Sequence, residues 1–371
     1  MAKKKIGILT GGGDAPGLNA VIYSLVRAGT GLGHELVGYK FGYRGLYNND
    51  FVPLNIASTS GILHKGGTIL YSSNKDNLFD YAVEENGVTV KKDMSGVAID
   101  NMKKEGVDVL VVLGGDGTLT SARDFARKGV NVIGVPKTID NDLASTDTTF
   151  GFDTAVNIVA ENLGRLHTTA ESHHRVMVVE VMGRSAGWIA LASGIAGSAD
   201  VILIPEIPYS VDKVVDKIKA REAIDKRFTI IVVTEGAAEK GGEAVVGRVV
   251  EDSPDAIRFG GIAAKLANDL EKLVKNEVRH CTLGHIQRGG DTSPADRLLS
   301  ARYGVKAMEM IEAGQFGNMV CLRNGAMDFE SLEVVLGSSA TGSVAKGTSK
   351  TVDPNCELVR VARRLGISFG D

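Results

Sequence analysis

Three apolar runs of strand length end in loops of glycine and acid, and this recurrence limits the folds open to the chain. The run 6–9 leads into Gly11-Gly12-Gly13-Asp14, and 107–113 into Gly114-Gly115-Asp116-Gly117-Thr118. The run 130–135 leads into Pro136-Lys137-Thr138-Ile139-Asp140-Asn141-Asp142. Apart from Asp108 and Asn131 near their starts these runs are apolar without polar alternation, which suits a strand buried on both faces. Helical spacing follows the first loop, with Leu18, Val21, Ile22, Leu25 and Val26 on one stripe. The alternation continues: helices are predicted over 118–127, 154–166, 185–195, 211–224, 262–274 and 294–313, with strands at 176–181, 201–204 and 229–233. Strands alternating with helices predict an α/β protein with mainly parallel sheets covered by helices. Ligands in such folds bind at the carboxyl ends of the strands, where every loop named above falls.

A length of 371 residues suggests about two domains. The shift from glycine–acid loops to Arg- and His-rich segments places a boundary near residue 150. Glycine, 46 of 371, clusters at predicted strand ends rather than in repeats, which excludes a low-complexity chain. A net charge of −3 gives no general attraction to nucleic acid or to an anionic membrane. No run reaches the ~20 apolar residues of a membrane span. Three scattered cysteines and a start without a signal-like apolar core fit a cytoplasmic protein.

The loops carry the equipment for phosphoryl transfer. Glycines let a backbone approach an anion, and the first amides of a following helix point at it. For Gly11–Gly17 a tight strand–helix turn explains the residues equally well. In 114–118 the acid adds a second element, because Mg²⁺ takes one or two carboxylates with phosphate oxygens and water. Helix capping accounts for Asp116 or Thr118 but not for the flanking glycines. If 138–142 is extended, Thr138, Asp140 and Asp142 project to one side. One carboxylate could then take a proton from an attacking hydroxyl while the other serves the metal; the alternative is a turn rich in Asn and Asp. Further on, Arg175, Arg184, Arg279 and Arg288 supply forks suited to phosphate, and Glu235 and His285 can bond sugar hydroxyls. His34, His64, Trp188 and the lysines at 3–5 read as ordinary structural residues. The neighbours His173 and His174 do not share a helix face well enough for a metal pair.

Five motifs in this order resemble the phosphofructokinase family of the bacterial type: Leu-Thr-Gly-Gly-Gly-Asp-Ala-Pro-Gly-Leu-Asn, Gly-Gly-Asp-Gly-Thr, Pro-Lys-Thr-Ile-Asp-Asn-Asp, Val-Met-Gly-Arg and Leu-Gly-His-Ile-Gln-Arg-Gly-Gly. The resemblance implies two Rossmann-like domains with the active site in the cleft between them. A donor domain, 1–150, would be completed by part of 287–337; a sugar-phosphate domain, 151–286, would be completed by the C-terminal segment to 371. It implies Asp140 as the base on the 1-hydroxyl of fructose 6-phosphate, and Asp116 and Asp142 as the residues serving Mg²⁺. Thr138, Arg184 and the Gly12 backbone would stabilise the moving phosphoryl group. Gly12, Gly115, Asp116, Gly117 and Thr118 would meet the donor, and Lys75 would compensate as a point charge for the family's Arg absent at Asn74. Met182, Gly183, Arg184, Glu235, His285 and Arg288 would hold the sugar phosphate, together with Thr138 and Asp140. Arg175 and Arg279 would reach in from a neighbouring subunit, so a homo-oligomer, dimer or tetramer, with shared sites is implied.

Gly117 and Lys137 bear on the donor. Pyrophosphate users of the family usually carry Asp at the first position and favour Lys at the second; this chain looks most like an ATP-using branch with Gly and Lys. ATP is therefore the expected donor and pyrophosphate the alternative. Tagatose 6-phosphate or sedoheptulose 7-phosphate is an alternative acceptor. The chain departs from the family at Tyr71, where Gly is usual, and at Asn74, where an Arg contacts donor phosphates. Tyr23 and His167 stand where regulated members carry arginines, so that effector site is expected to be absent or altered.

Overall fold

The computed structural model describes residues 2–85, 87–249, 257–337 and 349–371. Contacts within it divide the chain into two units. The first comprises Met1–Thr138, Leu143–Gly151 and Arg288–Ser349; the second comprises Ile139–Asp142, Phe152–Gln287 and Lys350–Asp371. The acidic tip 139–142 thus groups with the second unit, whereas the sequence reading had placed all of 1–150 in the first.

The first unit is built on a seven-stranded sheet. Its order is Ala326–Ser331, Asn318–Arg323, Val132–Pro136, Val109–Gly114, Lys5–Thr10, Glu35–Tyr39 and Phe51–Leu54. The five inner strands pair in parallel and the two edge strands antiparallel. Side-chain alternation sorts the two faces. Ile6, Ile8, Val109 and Val111 pack under the helices Leu18–Gly31 and Pro294–Glu312. Leu9, Leu110 and Val112 pack against Leu119, Ala122 and Phe125 of Asp116–Arg127 and Ala98 and Met102 of Ser95–Glu105. The first two helices approach closely because Gly304 has no side chain: a Cβ there would lie 2.9 Å from the Val21 carbonyl oxygen.

The second unit carries a four-stranded parallel sheet, ordered Val278–Thr282, Val176–Val181, Thr229–Thr234 and Val201–Leu203. Val176, Val178, Ile231 and Val233 pack against Val214, Ile218, Leu266 and Leu270 of the helices Val211–Glu222 and Ile262–Glu271. The α/β class and mainly parallel sheets expected from the sequence are present in both units.

Two local expectations need correction. Helix 185–195 begins later, at Trp188–Ala196. The chain is still turning before it: Gly183 at φ 143° and Arg184 at φ 51° lie outside the helical region, and the Ala186 amide closes a turn on the Gly183 carbonyl at 2.9 Å. The segment 138–142 is a bend, not an extended strand, and Asn141 takes the left-handed conformation at φ 53°. Asn tolerates that conformation better than most residues, so strand alternation stops there.

Candidate active site

In the first unit the donor-type loops leave the strand ends Lys5–Thr10 and Val109–Gly114. Thr118 packs between them: a Cβ on Gly11 would come within 2.6 Å of its methyl, and one on Gly114 within 2.3 Å of its Cβ. Both glycines are therefore required by packing as well as by any anion. The Gly11 amide donates to the Leu113 carbonyl at 2.9 Å, tying the two strand ends together. Two cations brace the first loop. Buried Lys137 donates through Nζ to the Gly13 carbonyl, and Arg288 donates through Nη1 to the Asp14 carbonyl at 2.9 Å. Arg288, implied as a sugar-phosphate residue, thus lies in the first unit against the glycine loop.

Asp116 opens the helix Asp116–Arg127 after an extended Gly115, and is only partly buried. Gly117 is exposed, and a Cβ on it would meet no heavy atom within 4 Å. Lys75 is exposed, its backbone amide on the Ser73 hydroxyl at 3.3 Å. Tyr71 sits at φ 59°, which explains why Gly is usual at this position. The Gly12 amide is not open to an incoming group: it donates to the Ser73 carbonyl at 3.0 Å.

In the second unit the site residues gather at the carboxyl ends of the sheet. After strand Val176–Val181 the chain turns through Gly183 at φ 143° and Arg184 at φ 51°. This turn is locked to the end of Thr229–Thr234. The Arg184 amide donates to Glu235 Oε1 at 3.1 Å, and a Cβ on Gly236 would fall 1.9 Å from the Arg184 carbonyl oxygen. Gln287, fully buried, accepts from the Met182 amide at 3.3 Å and donates to the Gly284 carbonyl at 3.0 Å. It thereby fixes Met182 beside the turn Gly284–Arg288 that carries His285.

The acidic tip joins this group. Asp140 is buried, 5% exposed. Lys350 holds the tip through its amide, which donates to the Asp142 carbonyl at 2.7 Å, and Trp188 Nε1 donates to the Lys350 carbonyl at 2.8 Å. Trp188 thus has a polar role as well as a packing one. Burial, and next the charge of Asp140, push the Glu235 carboxyl up to about 7. Its own bond from the Arg184 amide and the Arg184 charge pull the other way, more weakly. Near neutral pH both protonation states of Glu235 are therefore accessible, and the carboxyl can donate as well as accept a hydrogen bond.

Arg175 and Arg279 lie elsewhere. Arg175 precedes Val176 and Arg279 pairs in register with Met177, so both mark the amino ends of their strands. A strand of six residues puts ~20 Å between its ends. Both guanidinium groups pair with Glu277.

Sequence reasoning missed several residues that build the site. Glu180 is buried within an apolar strand and accepts from the amides of Gly261 and Ala263 at the start of helix Ile262–Glu271. A lone acid in a Val-rich run was the available signal. Glu206, its carboxyl pushed up by burial, accepts from the amides of Gly187 and Val352. His167, one of the two positions expected to lack effector-site arginines, bonds the Gly197 carbonyl at 2.9 Å through Nε2. At the other, Tyr23 lies under the Arg27 guanidinium, 4.7 Å from its ring centre.

Two doubly wound units with glycine–acid loops and convergent acids and arginines at their strand ends define a phosphate-handling α/β enzyme architecture. The phosphofructokinase family model matches residues 5–311, and the chain belongs to this family. Over 371 residues it is 66% identical to an ATP-dependent 6-phosphofructokinase 2 of Clostridium perfringens, covering 99% of each chain. It is 48% identical to a pyrophosphate–fructose 6-phosphate 1-phosphotransferase of Amycolatopsis methanolica, over 86% of this chain and 90% of the relative. Among solved structures, the phosphofructokinase of Saccharomyces cerevisiae superposes with a TM-score of 0.77 at 28% identity. That match covers 90% of this chain and 45% of the yeast chain. The family resemblance carried by the five motifs is borne out.

Proposed function

We propose that this protein transfers the terminal phosphoryl group of ATP directly to the 1-hydroxyl of fructose 6-phosphate, giving fructose 1,6-bisphosphate. The observation that carries this reading is the convergence of Asp140, Arg184 and Glu235 in the second unit, with Asp140 close enough to raise the Glu235 carboxyl. It is supported by the full-length similarity to a protein named as an ATP-dependent 6-phosphofructokinase.

Asp140 takes the proton of the attacking hydroxyl. Its burial strengthens its charge interactions and keeps bulk water from competing as nucleophile. Arg184 and Thr138 place positive charge and a hydroxyl toward the moving phosphoryl group. Glu235, His285, Met182 and Gly183 hold the sugar, with Arg288 on its phosphate. Gly115, Asp116, Gly117 and Thr118 meet the donor, with Lys75 at its edge. Among the described residues no three His, Cys, Asp or Glu side chains form a metal cage. Asp116 of the first unit and Asp142 of the second are each partly buried carboxylates, and each is by itself a donor of the kind Mg²⁺ takes beside phosphate and water. Bound Mg²⁺ supplies neutralisation of the donor's phosphate charge.

Pyrophosphate is the second reading of the donor. Lys137, seated against the Gly13 carbonyl, and the similarity to the Amycolatopsis protein favour it. Gly117 weighs more, because its open position leaves room for an ATP α-phosphate. Purified protein assayed in parallel with ATP and with pyrophosphate should form fructose 1,6-bisphosphate with ATP. Product with pyrophosphate alone would overturn the donor assignment, and product from neither would overturn the function.

Arg175 and Arg279 stand a strand's length from Arg184 and Glu235 in their own chain. They act in the site of a second copy, making the working form a homo-oligomer. Among the described residues no helix is long and apolar enough to cross a membrane. We place the enzyme in the cytoplasm on its three scattered cysteines, which suit a reducing compartment. Mixing inactive Asp140→Ser and Arg175→Ala proteins under subunit exchange should restore activity, since some hybrid sites would hold both intact residues. A mixture as inactive as its components would refute shared sites.

A further inference from the structure

The segment 71–76 lies across the glycine loop of the first unit and holds Gly12 from both sides. The Ser72 hydroxyl donates to the Gly12 carbonyl, and the Ser73 carbonyl accepts from the Gly12 amide at 3.0 Å. Thr10 fastens the start of this strap, donating through Oγ1 to the Tyr71 carbonyl at 2.7 Å. Arg44 fastens the rest. From helix Tyr43–Asn48 its Nη2 reaches the Ser73 hydroxyl at 3.3 Å, and its Nε pairs with Asp76 at 3.1 Å. Gly42 seats that helix on the same loop, because a Cβ there would lie 3.0 Å from the Thr10 carbonyl oxygen. Arg44 is 43% exposed along its side chain, and among the described residues its Nη1 bonds nothing.

We infer that Arg44 is a donor-contact residue: a phosphate of the donor replaces the Ser73 carbonyl on the Gly12 amide and is paired by the Arg44 guanidinium. The inference rests on the proposed donor role of the first unit. Its physical basis is an exchange of acceptors. An amide bonds an anionic phosphate oxygen about twice as strongly as a neutral carbonyl. A guanidinium already bonded to the strap, with one nitrogen to spare, then meets the anion that displaces it. Three cations, Lys137, Arg288 and Arg44, are thus bonded to this loop or to the strap upon it. Arg44 lies where a fork is needed, since Asn74 brings no charge to the strap and Lys75 brings a point charge.

The full-length protein is compared with Arg44→Met, Arg44→Lys and Asp76→Ala in steady-state kinetics and in calorimetric binding of a non-hydrolysable ATP analogue. Arg44→Met should weaken donor binding about tenfold or more while the KM for the sugar phosphate stays within twofold. Arg44→Lys should recover part of the loss. Asp76→Ala frees Arg44 from its brace and should leave donor affinity unchanged or raise it. Donor affinity unaffected by Arg44→Met overturns the inference. So does an Asp76→Ala protein as impaired as Arg44→Met, which would make Arg44 only a brace; this arm decides the matter if Arg44→Met does not fold. Wild-type protein that neither binds nor uses ATP would defeat the proposed function instead.

Discussion

Protein carrying Gly117→Asp is expected to fold with unchanged or slightly higher Tm and to lose kcat/KM for ATP by on the order of a thousandfold. The fold is spared for two reasons. A Cβ at this position meets no heavy atom within 4 Å, and the residue lies in the first turn of Asp116–Arg127. A carboxylate in a helix's first turn is favourable, typically by ~0.3–1 kcal/mol. The loss of ATP use comes from charge: two negative groups ~4 Å apart at an effective dielectric of ~20 repel by ~4 kcal/mol. Thermal melting and ATP kinetics together make the test. ATP turnover within tenfold of wild type in a well-folded variant would show that donor choice does not rest on this position. Pyrophosphate turnover measured alongside would report whether Lys137, bonded to the Gly13 carbonyl of the first loop, is sufficient for the smaller donor.

The strands around these loops were legible because they are buried on both faces, and a doubly buried strand reads as a near-continuous apolar run. Val109–Gly114 is of this kind, and so is Val176–Val181 apart from Glu180. The antiparallel edges were not legible. Phe51–Leu54 is four residues long and contains a proline, and Ala326–Ser331 ends in Asp328, Phe329, Glu330 and Ser331, with only one apolar residue among the four. Edge strands face water and lose the apolar signal that marks central ones. Within the site, residue types and strand-end placement were readable, but partners distant in sequence were not. Gly12 meets Ser73, Met182 meets Gln287, and Glu180 meets Gly261; none of these pairings follows from spacing. Of the two alternatives for 138–142 the turn holds and the extended one fails, because alternation assumes φ and ψ of a strand, and Asn141 leaves that region. Asp140 nevertheless lies in the same unit as Glu235 and Arg184, since that membership depends on the fold of the second unit rather than on alternation.

Removal of the proposed base should separate chemistry from binding. Asp140→Ser is expected to lower kcat by ~10²-fold or more, the loss typical of a positioned general base. The KM for the sugar phosphate should change little, because Glu235, His285 and Met182 are held by other residues: Glu235 bonds the Arg184 amide and Met182 bonds Gln287. A second readout follows from the electrostatics. The charge of Asp140 is, after burial, the largest influence raising Glu235 to about 7. Without that charge Glu235 ionises at lower pH, so any dependence of sugar-phosphate affinity on its protonation should shift to lower pH in the variant. A residue acting only as a structural support would disturb KM and Tm together and leave no such shift. Turnover at the wild-type level in Asp140→Ser would remove the base from the mechanism. A fall in kcat with an unshifted affinity profile would keep the base but deny that Asp140 tunes its neighbour.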